Sequence, residues 1–305
     1  MALSKSGASV KAMSSGWPNL SDLLTEDPGA PVGLVGAPFG VGSVTPGGCD
    51  RAPGSLRATL KRIGRYDIDS GRELSTRIAD HGDVALDGMS IEQATAPIRE
   101  AIAASVAAHP LTLLVGGNNA VTRPGVHGLG VPLEKVGLIT LDAHFDMRDL
   151  DNGLSNGNPV RALIEDGLPG RNIAQIGLAP FANSAGMHRD AVAAGNCIIT
   201  QAEVARHGIA AAIERALKHV GHCDAIFVDC DIDVIDRSQL PGAPGARPGG
   251  MAVGDFFAAT RMLAHDPRVR VIDLTEWDPN LDATDLSALT AARWVAECLA
   301  GFEGR

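Results

Sequence analysis

Val136-Gly137-Leu138-Ile139-Thr140-Leu141-Asp142-Ala143-His144-Phe145-Asp146 is the stretch on which the reading of this chain turns. An uncharged aliphatic run, half of it β-branched, reads as a strand buried on both faces. It stops abruptly at two carboxylates and an imidazole. In extended backbone, residues two apart point the same way, so Asp142, His144 and Asp146 would share one face at the strand end. That is a metal-ligand pattern.

Working outward, similar runs occur at 33–37, 76–79, 111–115, 173–178, 197–200, 225–228 and 269–274, which with 136–141 makes eight candidate strands. Between them lie stretches such as 90–108, 208–220 and 253–266, whose apolar positions recur at three- and four-residue intervals and predict helices. This alternation implies an α/β fold with a parallel sheet covered on both faces. Residues 1–30, rich in Ser, Gly and Pro, read as a tail or surface arm, and 31–305 as a single domain. Ligands of such sheets bind beyond the carboxyl ends of the strands. The polar clusters fall there.

The second cluster follows the run at 225–228. Asp229, Asp231 and Asp233 alternate there, and like charges this close to an apolar sheet are costly without a compensating cation. Oxygen-rich ligation without thiolate favours Mn(II) or Mg(II), and so many carboxylates suggest two ions that would acidify a shared water. Cys230 has the opposite phase and reads as a core thiol. The third cluster, Glu276-Trp277-Asp278-Pro279, offers Glu276, whose carboxylate can accept two parallel N–H bonds from an amidinium. Residues 153–157 match G-x-S-x-G but follow a polar loop rather than a strand, which argues against a serine nucleophile. Ser155 and Asn152 read instead as loop contacts to a substrate carboxylate.

Composition narrows the function classes. The 305 residues carry 26 Lys plus Arg against 36 Asp plus Glu, a net charge of −10 that argues against a nucleic-acid binder. With 45% hydrophobic and 20% charged residues the chain can bury a large core. Its five cysteines are scattered without a C-x-x-C pair, so neither a disulfide framework nor a thiolate zinc site is expected. No run approaches the roughly 20 apolar residues of a membrane span, and the first residues lack the apolar core of a signal peptide. A soluble, cytoplasmic protein is the expectation.

Taken together, G-G-N-N at 116–119, D-A-H-F-D at 142–146, D-I-D-V-I-D at 231–236 and E-W-D-P at 276–279 resemble the ureohydrolase superfamily of arginases, agmatinases and formimidoylglutamases. The resemblance runs from Val32 to the C-terminal helix. It implies a three-layer α/β/α fold with a mainly eight-stranded sheet, a homo-oligomer, and two Mn2+ per subunit on Asn119, Asp142, His144, Asp146, Asp231 and Asp233. Asn119 stands where the family has a His. Its amide oxygen is a weaker ligand than imidazole, so one ion should bind more loosely or keep an extra water. Asn156 likewise replaces a His, which removes a titratable proton carrier.

Within the resemblance, Arg148 occupies the place where an amino-acid substrate's carboxylate sits, and a guanidinium fork there favours a doubly acidic substrate. Arg161 could add a second cation. The expected activity is hydrolysis of N-formimidoyl-L-glutamate to L-glutamate and formamide, with Glu276 orienting the amidinium and Asp146 moving the proton. The alternatives are a guanidino hydrolase releasing urea and a non-catalytic metal-binding homologue.

Overall fold

Each apolar run forms a strand in the computed structural model, which describes residues 17–305. In chain order the elements are β1 (Leu24–Thr25), β2 (Val32–Ala37), α1 (Ala52–Thr59), the hairpin β3 (Tyr66–Asp67) and β4 (Arg72–Glu73), β5 (Ile78–Asp83), α2 (Ile91–Ala108), β6 (Leu111–Gly116) and α3 (Thr122–His127). Then come β7 (Val136–Leu141), α4 (Pro159–Glu165), β8 (Ile173–Leu178), α5 (Ala185–Ala194), β9 (Cys197–Thr200), α6 (Gln201–His207), α7 (Ile209–His219), β10 (Ala225–Asp231), α8 (Val253–His265), β11 (Val269–Thr275) and α9 (Leu286–Glu303).

The main sheet has the order β1-β5-β2-β6-β11-β10-β7-β8-β9, and all its pairings are parallel. The eight expected strands are joined by the two-residue β1 at one edge. Alternate side chains of each central strand enter different cores. In β10, Ile226, Val228 and Cys230 pack with residues of α7, α8 and α9, whereas Ala225 and Phe227 pack on the face carrying α2, α3 and α4. The result is three layers, as expected. Helix α7 illustrates the patterning: Ile209, Ala212, Ile213 and Ala216 form its buried stripe.

Two boundaries differ from the sequence reading. The strand expected at 76–79 runs from Ile78 to Asp83, because its polar half is held by pairing with β2 and by Arg57, which binds both Asp80 and Asp83. Hydrophobicity does not register such support. The strand expected to stop at 228 continues through Asp229, Cys230 and Asp231, all buried. Part of the segment 1–30 lies outside the described residues. Within the rest, Leu20 and Leu23 are buried in the core beside α1.

The topology places the site. Strands β6, β11, β10 and β7 are consecutive neighbours at the centre of the sheet, and the chain leaves their carboxyl ends at the four motifs quoted above. The order reverses there, with β6 and β7 separated by β11 and β10, so their exit loops flank a common crevice.

Candidate metal centre and substrate cleft

Asp142 follows the last residue of β7, and the chain bends at once, so Asp142, His144 and Asp146 converge through a turn rather than by strand alternation. Asp146 adopts a left-handed backbone with φ 51°. From β10, Asp231 is the last strand residue, and a short 3-10 turn (Ile232–Val234) carries Asp233. The expected one-face alternation of Asp229, Asp231 and Asp233 therefore holds only for the first two. These residues form two overlapping groups whose ligand atoms lie within 4.8 Å of one another: Asp142, His144 and Asp233, and Asp142, Asp146 and Asp231. Asp142 belongs to both.

The electrostatics of the cluster call for a cation. Burial, reinforced by neighbouring carboxylates, pushes Asp146 and Asp231 well above the usual carboxylate range, and burial raises Asp142 to about 6. His144 Nδ1 lies 3.1 Å from Asp233 and 3.4 Å from Asp142. Although burial opposes its charge, Asp233 and Asp142 hold the imidazolium up to about 12. Asp233 Oδ1 is buried without a hydrogen-bond partner, which is the state of an oxygen awaiting an ion. The donor set fits divalent cations.

Asn119 begins the turn after β6, and its side chain is almost fully buried among these groups. Its Nδ2 donates to Asp146 at 2.6 Å and to Asp229 at 3.4 Å, while Oδ1 accepts from the hydroxyls of Thr122 (2.8 Å) and Thr275 (2.9 Å). The oxygen expected to reach an ion faces two hydroxyls in this arrangement. Behind it, burial and the charge of Asp273 push Asp229 well above the usual carboxylate range, and Asp273, raised to about 7 by its own burial, accepts from the Cys230 backbone N–H.

Glu276 follows β11 in a left-handed conformation, φ 61°. Its Oε1 accepts both the Asn119 backbone N–H and Asn156 Nδ2, each at 2.8 Å. That leaves Oε2 for the cleft. Burial raises this carboxyl to about 7. Asn156 Oδ1 accepts the Val44 N–H at 2.8 Å, so its amide is oriented from both ends and ties the 40–48 loop to Glu276. An amide can make both bonds at once.

The acidic cluster and Glu276 floor a cleft of about 130 Å³ whose rim includes Arg148 and Arg247. Arg148 is exposed, and among the described residues it has no carboxylate within ion-pair distance. A second cavity of about 400 Å³ adjoins it, shares Arg148, and holds Asn152, Ser155 and Arg161. Arg161 is paired with Asp190 there, and so brings no unbalanced charge. His127 is bound to Asp166 away from the cleft. Sequence reasoning missed Arg247, and also Asn183, which braces the ligand loop through the Phe145 N–H and the Ala143 carbonyl. Both lie on loops that leave strand ends, which was the available signal.

A sequence profile of the arginase family matches residues 30–301. The chain belongs to the arginase family. Among proteins similar to this family member, a formimidoylglutamase from Bacillus subtilis (strain 168) is 29% identical over 293 residues, covering 93% of this chain and 92% of its own. One from Halobacterium salinarum is 34% identical over 278 residues, 88% of this chain and 87% of its own. The crystal structure of formimidoylglutamase from Bacillus subtilis superimposes with a TM-score of 0.89 at 28% identity, over 99% of this chain and 96% of that one. Among the described residues of this arginase-family chain, no helix is long and apolar enough to cross a membrane. All five cysteines are buried free thiols.

Proposed function

We propose that this protein hydrolyses N-formimidoyl-L-glutamate to L-glutamate and formamide in the cytoplasm. The observation that carries the reading is Arg148, a guanidinium that among the described residues has no carboxylate partner and lies on the rim of a cleft floored by carboxylates. A substrate with a cationic amidine at one end and carboxylates at the other meets complementary charge at both ends. The similar formimidoylglutamases support the same choice.

Asp142, His144, Asp146, Asp231 and Asp233 would hold two divalent cations, which we take to be Mn2+, and these would supply an acidified water as nucleophile. Asn119 supports them by donating to Asp146, and would itself become a ligand only on flipping its amide. Glu276 Oε2 receives an amidinium N–H and turns the formimidoyl carbon toward the cluster. Asp146 takes the nucleophile's proton and returns it to the leaving amine. Water adds across the C–N bond, giving formamide and the free α-amine of glutamate. Arg148 fixes the acid end, and Asn152, Ser155 and Arg161 line the polar cavity beside it.

The test is product analysis with Mn2+-loaded protein. Formamide from formimidoylglutamate is expected, and Arg148→Ala should cost about ten- to a hundred-fold in kcat/KM, the worth of a charge-assisted contact. Urea release from guanidino substrates in its place would overturn the reading, as would failure to act on any amidine.

A further inference from the structure

We propose that Arg247 is a second carboxylate anchor, holding the substrate's α-carboxylate while Arg148 holds the γ-carboxylate. The inference rests on the formimidoylglutamate reading and deepens it. Arg247 lies on the loop between β10 and α8 and lines the same cleft as Asp231, Asp233 and Glu276. This loop rests directly on the acidic cluster: a Cβ on Gly245 would fall 1.9 Å from Asp233 Oδ2, so a side chain at that position would push the loop away. Arg237 secures the loop by donating through Nη1 to the Ala243 carbonyl at 2.6 Å and through its backbone N–H to the Arg247 carbonyl at 3.2 Å.

The guanidinium of Arg247 is held on one side. Its Nη1 donates to the carbonyls of Pro244, Gly245 and Ala246 at 3.3, 2.8 and 3.1 Å. Among the described residues Nε and Nη2 have no protein acceptor, and no carboxylate lies within ion-pair distance. Arg57, Arg123, Arg161, Arg261 and Arg268 are each paired with an acid. An unpaired guanidinium braced by its own loop and facing a cleft is a preorganised anion receptor.

The charges of the cleft then complement one kind of ligand. Glu276 stands apart from the cation-binding groups and matches one positive group, while Arg148 and Arg247 match two negative ones. Their order follows from reach. Arg148 lines both the cleft and the outer cavity, whereas Arg247 lines only the chamber containing the acidic cluster. In formimidoylglutamate a single carbon separates the α-carboxylate from the amidine nitrogen, and the γ-carboxylate lies two methylenes further out. The near carboxylate therefore falls to Arg247.

The experiment compares Mn2+-loaded wild type, Arg247→Ala and Arg247→Lys on N-formimidoyl-L-glutamate and on N-formimidoyl-4-aminobutyrate, which lacks the α-carboxylate. On the full substrate, Arg247→Ala should raise KM about ten- to a hundred-fold with kcat within about threefold, and Arg247→Lys should recover part of the loss. On the truncated substrate the three proteins should agree. An equal loss on both substrates would make Arg247 a loop support only, and an unchanged KM would remove it from recognition; either result overturns the proposal while leaving the reaction in place. A wild type inert toward formimidoylglutamate would instead remove the reading underneath it.

Discussion

Arg148 reaches the cleft by lying across Gly157, where an added Cβ would sit 2.7 Å from Arg148 Cδ and 2.8 Å from Nε. Gly157→Ala should therefore displace the guanidinium without disturbing the fold. The expected outcome is a fall in kcat/KM of about ten- to a hundred-fold, the scale of a 1 Å misplacement, expressed mainly in KM. Steady-state kinetics beside a thermal melt check it: an unchanged KM would place the carboxylate elsewhere, and a lowered melting temperature would point to the fold. At this scale the sequence was most legible where chemistry is local. Asp142, His144, Asp146, Asp231 and Asp233 announce themselves by spacing within a few residues. Asn119 and Asn156 do not, because the roles of their amides depend on Thr275, Val44 and Glu276, residues remote in the chain.

The elements aim these groups through their ends. Asp146 and Glu276, the two residues given proton and substrate duties, both have left-handed backbone just past a strand, a conformation costing about 1–2 kcal/mol for a residue with a Cβ. Apolar periodicity finds the strands but is blind to such turns, and it is equally blind to the polar half of β5. That half contains His81, whose Nε2 lies 2.8 Å from Nε2 of buried His109, while His109 Nδ1 donates to the Ala30 carbonyl at 2.7 Å. Two rings sharing one hydrogen cannot both be protonated there. Burial, then repulsion from His109, lowers the His81 pKa below its ordinary 6.5. The folded state thus resists a proton that the unfolded chain accepts, so this contribution is complete above about pH 6.5 and declines as pH falls below it. Melting temperatures from pH 8 to pH 5 should fall less steeply for His81→Gln than for wild type. Parallel curves would show that the pair carries no linkage.

For the whole molecule, the sheet order itself gathers the charge. Three neighbouring strands, β7, β10 and β11, deliver Asp142, Asp146, Asp229, Asp231, Asp233 and Glu276 to one crevice, where burial makes the ionisation of Asp142, Asp146, Asp229, Asp231 and Glu276 costly. A divalent ion that binds the fold and not the unfolded chain repays that cost, adding about 2.7 kcal/mol for each site held at a hundred times its dissociation constant. Chelation should accordingly lower the melting temperature by roughly 10–20 °C if two sites are filled, at about 2–4 °C for each kcal/mol. The two ligand groups share Asp142, whereas Asp231 belongs to one of them. Asp231→Asn should therefore retain about half of the chelator-sensitive shift and near one ion per chain by elemental analysis, while Asp142→Asn should lose both. Without ions, Asp142→Asn should melt no lower than wild type, since it removes a carboxyl that burial already opposes. If Asp142→Asn still carried two ions, the clusters would be independent, and a single activated water between them would no longer be tenable.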